Sequence, residues 1–243
     1  MGILERAKDI KSLGQRNFWV LYGKSGTGKT KIIGSFPKPL LYIQIGDDGS
    51  NTISDVEGIK ALRVESSDEL KTLLKELKTN KTYKTIACDT FSLITNVWID
   101  QNIVQKKKRM TQNDWGSLKI ETEDLIKSLH ELALGRNVVV SCHESNDSIE
   151  GMEDEILPDI RPSVTKGART YLEGMANYGL HCTKMKKTVT VKKTGEDREI
   201  IRYCIHIGAN PYYWTKLQIN SEVVVPELMV NPTYDKVLEL LSE

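Results

Sequence analysis

Eight residues near the start of the chain, Gly23-Lys24-Ser25-Gly26-Thr27-Gly28-Lys29-Thr30, follow the apolar run Phe18-Trp19-Val20-Leu21-Tyr22 and precede a helical pattern over residues 31–36 that stops before Pro37. Their spacing is G-x-x-x-x-G-K-[ST]. A strand that ends in such a glycine-rich turn and opens a helix leaves backbone N–H groups directed into one small concavity. A polyphosphate fits there. Gly23, Gly26 and Gly28 permit the backbone torsions and close approach that the cradle needs, Lys29 reaches the β- and γ-phosphates, and the Thr30 hydroxyl takes one site on Mg²⁺. All eight residues, Gly23, Lys24, Ser25, Gly26, Thr27, Gly28, Lys29 and Thr30, are therefore candidate contacts for ATP.

Further along, Leu40-Leu41-Tyr42-Ile43-Gln44-Ile45 reads as a buried parallel strand and ends in Gly46-Asp47-Asp48-Gly49. A short strand over 61–64 follows, and Ser66 with Glu69 forms a capping box that opens a helix carrying Leu70, Leu73, Leu74 and Leu77. Thr85-Ile86-Ala87-Cys88-Asp89-Thr90 is an apolar strand ending in an acid. Asp89 has two readings there: a Walker B carboxylate that holds the Mg²⁺ shell opposite Thr30, or a cap on the next helix. A helix is expected over 92–105, running into the cationic stretch Lys106-Lys107-Lys108-Arg109, and a longer one follows it with Leu118, Leu125, Leu129 and Leu132 on one stripe. Asn137-Val138-Val139-Val140-Ser141-Cys142-His143 is another buried strand, and His143 either senses the γ-phosphate or is a histidine satisfied at a strand end. Residues 144–165 show no periodicity and read as a long acidic loop. Strands are expected over 178–183, 188–193 and 199–207, the last two joined by a hairpin at 194–197, and a final helix is expected to start at Asn231 and Pro232.

A chain of 243 residues buries one substantial core, so one domain is expected: an arm over 1–16, a nucleotide-binding core over 17–183, and a β extension with a last helix over 184–243. Lys plus Arg number 34 against 33 for Asp plus Glu, and this balance gives no global argument for a nucleic-acid partner. No apolar run is long enough to cross a bilayer and residues 1–6 lack a signal-peptide core, so a cytoplasmic protein without a membrane partner is expected. Cys88, Cys142, Cys182 and Cys204 are widely spaced, which reads as buried reduced thiols rather than disulfides or a zinc site, and leaves Mg²⁺ as the implied metal.

In this order the pieces resemble the small RecA-like ATPases of bacteriophages, the group that includes RecA-like single-strand annealing and recombination proteins. The matching residues are Gly23 to Thr30, Leu40 to Ile45, Thr85 to Thr90, the helix start Asp114-Trp115-Gly116, Val138 to Glu144, and Tyr212-Tyr213-Trp214-Thr215-Lys216. The resemblance implies an α/β fold of the RecA-like P-loop NTPase type, with a mainly parallel central sheet flanked by helices and a C-terminal β-hairpin or meander extension. It implies Mg²⁺-dependent ATP hydrolysis, a homo-oligomer in the form of a ring or filament, and single-stranded DNA as partner in phage recombination, annealing or replication alongside other proteins of those processes. A nucleotide-dependent switch or loader acting on a protein, without DNA, is the alternative. The family closes its second strand with a catalytic glutamate; here that place reads Gly46-Asp47-Asp48, which makes Asp47 or Asp48 the candidate base, with Glu144 or His143 next. By position, residues 144–165 match the family's DNA-touching loop, with Arg161, Lys166 and Arg169 beside it. Lys216 matches a cation that crosses to the neighbouring subunit's γ-phosphate, or is a strand-end lysine in solvent. Lys24, five positions before Lys29, is either the extra lysine of partition-type ATPases or a solvated loop-tip residue.

Overall fold

The computed structural model describes residues 7, 9, 14–46, 49–150, 156–190, 196–219 and 224–242. The near-continuous apolar runs form β1 (Asn17–Tyr22), β2 (Leu40–Ile45), β4 (Thr85–Asp89) and β5 (Asn137–Cys142), and almost every residue in them is buried. Strands of this kind need cover on both faces, which parallel pairing with crossover helices supplies. Together with β3 (Ile59–Val64), β8 (Tyr178–Thr190), β9 (Asp197–His206) and β11 (Leu228–Val230) they make one sheet in the order β3-β2-β4-β5-β1-β8-β9-β11, and the short β10 (Lys216–Leu217) pairs with the start of β8. The β3-to-β8 part is parallel throughout; β9, β10 and β11 join antiparallel.

Alternation along β1 shows how the helices are placed, since successive side chains leave opposite faces of a strand. Phe18, Val20 and Tyr22 pack with Leu70 and Leu74 of α2 (Ser67–Thr79), Leu125 and Leu129 of α4 (Gln112–Leu132) and Leu172 of α5 (Lys166–Met175). Trp19 and Leu21 face Ile32 and Ile33 of α1 (Lys29–Ile33) and Val237 of α6 (Tyr234–Ser242). Helix starts follow the side-chain chemistry. Ser66 accepts from the Glu69 N–H at 3.1 Å, while the Glu69 carboxylate accepts from the Glu65 N–H at 2.8 Å. Thr111 and Asp114 cap α4 reciprocally.

Four expectations change. Residues 144–165 are not a loop: β6 (Glu144–Glu150) and β7 (Ile156–Pro162) pair antiparallel as a separate two-stranded sheet. β6 carries a single apolar residue, Ile149, in seven, so it lacks the period-two apolar signal of a half-buried strand. The two strands expected over 178–193 are one, β8, because no glycine or proline interrupts Lys184 to Val189. The helix over 92–105 divides into a 3-10 turn at Phe91–Leu93, α3 (Ile94–Ile99) and a π turn at Asp100–Val104. The last helix starts later than expected, at Tyr234: the Thr233 hydroxyl accepts from the Lys236 N–H at 3.3 Å, and Asn231 has φ +50°. β9 pairs with β8 as a hairpin, but its expected turn at 194–197 lies mostly outside the described residues, as does most of the arm over 1–16. All four cysteines are free and buried.

Trp19 ties the second face together, stacked on Tyr178 at 3.9 Å between ring centroids and edge-on to Phe36 at 5.4 Å. Trp19→Ala is expected to cost about 3–5 kcal/mol in urea denaturation. Trp19→Phe should cost less, because the buried indole N–H has no hydrogen-bond partner among the described residues.

Candidate functional site

β1 delivers the chain to Gly23, where φ is +150° and a Cβ would stand 2.2 Å from the Cys182 carbonyl oxygen of β8. Only glycine lets the loop leave β1 this close to its neighbour. The loop then turns over itself: the Lys29 ammonium, nearly buried, donates to the carbonyls of Gly23 at 2.8 Å and Lys24 at 2.9 Å, and the Thr27 hydroxyl donates to Lys24 O at 2.8 Å. These bonds hold the lysine inside the curve of the loop.

Opposite it stands Asp89, at the carboxyl end of β4 and only 3% exposed. β5 lies between β4 and β1, so the acid's strand and the loop's strand are separated by one strand of the sheet. One carboxylate oxygen accepts from the Thr30 hydroxyl at 2.6 Å and the Tyr42 hydroxyl at 2.8 Å. The other accepts from Thr90 Oγ1 at 2.9 Å and from Ser141 Oγ. The Asp89 carboxylate is thus directed at the Thr30 hydroxyl, and the helical turn that follows has no side-chain cap.

Between them is a cavity of about 230 Å³ whose wall includes Gly26, Lys29, Thr30, Asp89, His143 and Tyr203. Gly49 also borders it, and a Cβ there would fall 2.8 Å from Thr30 Oγ1 and 3.5 Å from Asp89 Oδ2. Glycine keeps open the space beside the two oxygen groups. A lysine for the phosphates, together with a hydroxyl and a carboxylate of the hard oxygen type that Mg²⁺ prefers, fits a magnesium-bound nucleoside triphosphate.

The remaining candidates are placed as follows. Asp47 and Asp48 lie outside the described residues. His143 borders the cavity, and its backbone N–H donates to Ser92 Oγ at 2.9 Å. Glu144 is buried beside it, 2.9 Å from His181 Nε2, with its second oxygen 3.8 Å from Nζ of the exposed Lys24. Tyr213 packs against both His181 and His206, at 4.3 Å from each ring centroid, and the two imidazoles lie 5.4 Å from each other. Burial pulls the pKa of both imidazoles below the usual histidine value, and for His181 the Glu144 carboxylate opposes that shift. Lys216 does not border the cavity: its ammonium donates to the carbonyls of Glu173 at 2.9 Å and Gly174 at 2.8 Å, near the C-terminal end of α5. Beside the β6–β7 hairpin, Arg161 is paired with Asp159 at 2.6 Å and Glu173 at 3.3 Å, and Arg169 with Asp147, while Lys166 is exposed.

Sequence reasoning did not single out Tyr42, Thr90, Ser141 or Tyr203. Thr90 and Ser141 carried a weak signal as hydroxyls at the carboxyl ends of strands, where open α/β sheets bind ligands; Tyr42 and Tyr203 carried none.

A phosphate-binding loop on the central strand of a parallel sheet, facing an acid two strands away across the same edge, defines a P-loop nucleotide-binding domain. Consistent with this, the profile of a family described as AAA domain matches residues 16–203, and the chain belongs to that family. Nucleotide binding and hydrolysis of the AAA type follow from the membership. A comparison with curated proteins gives no match.

Two outcomes are expected. Lys29→Ala abolishes ATP binding in calorimetry, whereas Asp89→Asn spares binding more than turnover; equal losses in both assays for Asp89→Asn would mean that the acid is structural. Because protonation of His181 and His206 is disfavoured in the folded chain, their contribution to stability is complete above about pH 6.5 and is lost as pH falls below it, when the unfolded chain takes up protons first. Urea midpoints compared at about pH 7.5 and about pH 5.5, on either side of the ordinary histidine value, should show this loss, and it should shrink in His181→Gln.

Proposed function

We propose that the protein is a Mg²⁺-dependent ATPase. The observation that carries the reading is the 2.6 Å contact between Thr30 and Asp89 across the cavity from the Lys29 cradle. Lys29 binds phosphate, Thr30 and Asp89 hold the metal, and Tyr42, Thr90 and Ser141 fix the carboxylate so that it does not reorganise during the reaction. Magnesium, when bound, neutralises charge on the phosphate oxygens. The base is proposed to be Asp47 or Asp48, on the likeness to the family position after the second strand; both lie outside the described residues.

For the partner, the likeness to RecA-like phage ATPases supports single-stranded DNA, handled by an oligomer in recombination or replication. Lys216 would serve such an oligomer as the cation that crosses to a neighbour, on leaving the α5 carbonyls. A second reading, a switch or loader that acts on a protein, is supported by the ion pairs that engage Arg161 and Arg169 beside the hairpin and by the near-neutral net charge of +1.

Measured ATP turnover is expected to require Mg²⁺ and to be lost in Asp89→Asn. Added single-stranded DNA raises the rate under the first partner reading and leaves it unchanged under the second. Absence of turnover with Mg²⁺ and either kind of partner would remove the ATPase assignment.

A further inference from the structure

The wall of the cavity that comes from neither the phosphate loop nor the Asp89 strand includes Tyr203, which with the smaller imidazole of His143 supplies the aromatic rings bordering the cavity among the described residues. Its place follows from strand periodicity. Ile205, two residues on in β9, is buried against Ile32 and Ile33 of α1, so Tyr203 leaves β9 on that same face, nearer the start of the helix. There its ring lies directly over Gly28, where a Cβ would stand 2.8 Å from Cδ1 and 2.9 Å from Cγ. Gly28 itself has φ +88°, so torsion and space both call for glycine. The Lys31 ammonium lies 5.4 Å from the ring centroid. The backbone is fixed on two sides, by pairing with Lys184 of β8 and by the Asn231 N–H, which donates to Tyr203 O at 2.7 Å.

We propose that Tyr203 is the nucleobase platform of this site, a flat, half-buried ring held against the phosphate loop on which the base of a nucleoside triphosphate stacks. This deepens the ATP-binding reading and rests on it. The chemistry is that of an aromatic face meeting a π-system, which adds affinity without reading the base's hydrogen-bonding edge. Phosphate recognition belongs to Lys29 and the loop; recognition of the rest of the nucleotide belongs to a residue of the β8–β9 ribbon. Tyr203 therefore contributes to affinity for nucleotides and nothing to affinity for a bare polyphosphate.

Calorimetric titration with two probes, ATP and inorganic tripolyphosphate, tests this. Tyr203→Ala is expected to weaken ATP binding by roughly tenfold or more, the usual worth of a base–aromatic stack, and to leave tripolyphosphate binding unchanged. Tyr203→Phe and Tyr203→Trp keep ATP affinity near that of the parent chain, which shows that a flat ring suffices. Unchanged ATP affinity in Tyr203→Ala overturns the proposal. So does an equal loss for both probes, which would make the ring a brace for Gly28. Lys29→Ala separates the levels, because it should lose both probes. A parent chain that binds tripolyphosphate but not ATP overturns the platform and leaves the phosphate cradle standing; one that binds neither overturns the nucleotide site itself.

Discussion

A carboxylate buried as deeply as that of Asp89 survives only where its oxygens are satisfied, because stripping water from a charge costs several kcal/mol. Here hydroxyls do the work. Thr30 comes from α1, Tyr42 from β2, Ser141 from β5 and Thr90 from the residue after the acid itself. The bonds therefore join three strands and the first helix at one point on the carboxyl edge of the sheet. Strand order is what allows it: with β5 and β2 flanking β4, Ser141 and Tyr42 approach the acid from either side.

The same edge fixes what the rest of the chain does. Tyr22, the last residue of β1, sends its hydroxyl to the carbonyls of Ile160 at 3.1 Å and Trp214 at 2.7 Å, which ties the β6–β7 hairpin and the aromatic segment over 212–214 to the residue that precedes the phosphate loop. Glu144 starts the hairpin and meets both Lys24 and His181. The hairpin is thus attached near its base to the loop, to β8 and, through the Ile160–Tyr213 bridge, to the aromatic segment, while Arg169 of α5 meets Asp147 further along it.

Legibility in the sequence followed the range of the interactions. The phosphate loop, the strand ending at Asp89 and the capped start of α2 depend on neighbours within a few residues, and their spacing alone expresses them. β6 was hidden because Glu144–Glu150 carries one apolar residue in seven and shows no alternation; β7 alternates at Ile156, Pro158, Ile160 and Pro162, but its prolines and the acidic surroundings masked that signal. Tyr42 and Tyr203 were hidden for another reason. Tyr42 sits in an apolar run where any large residue suits the pattern, and Tyr203 reaches Gly28 only because β9 is laid beside β8. For Lys216, whose place in the sequence suggested a crossing cation, the contact of its ammonium with the α5 carbonyls is one that no spacing in the sequence expresses.

The pairing of Arg161 and Arg169 with their carboxylate neighbours has a kinetic meaning. Charges matched at contact distance cancel beyond a Debye length of about 8–10 Å at ordinary salt. A molecule approaching these two arginines would therefore feel little pull from them, and any encounter they took part in would run nearer the roughly 10⁵–10⁶ M⁻¹s⁻¹ of a neutral association than a steered rate. Selectivity in such an encounter would rest on how long the two stay together, set by short-range fit.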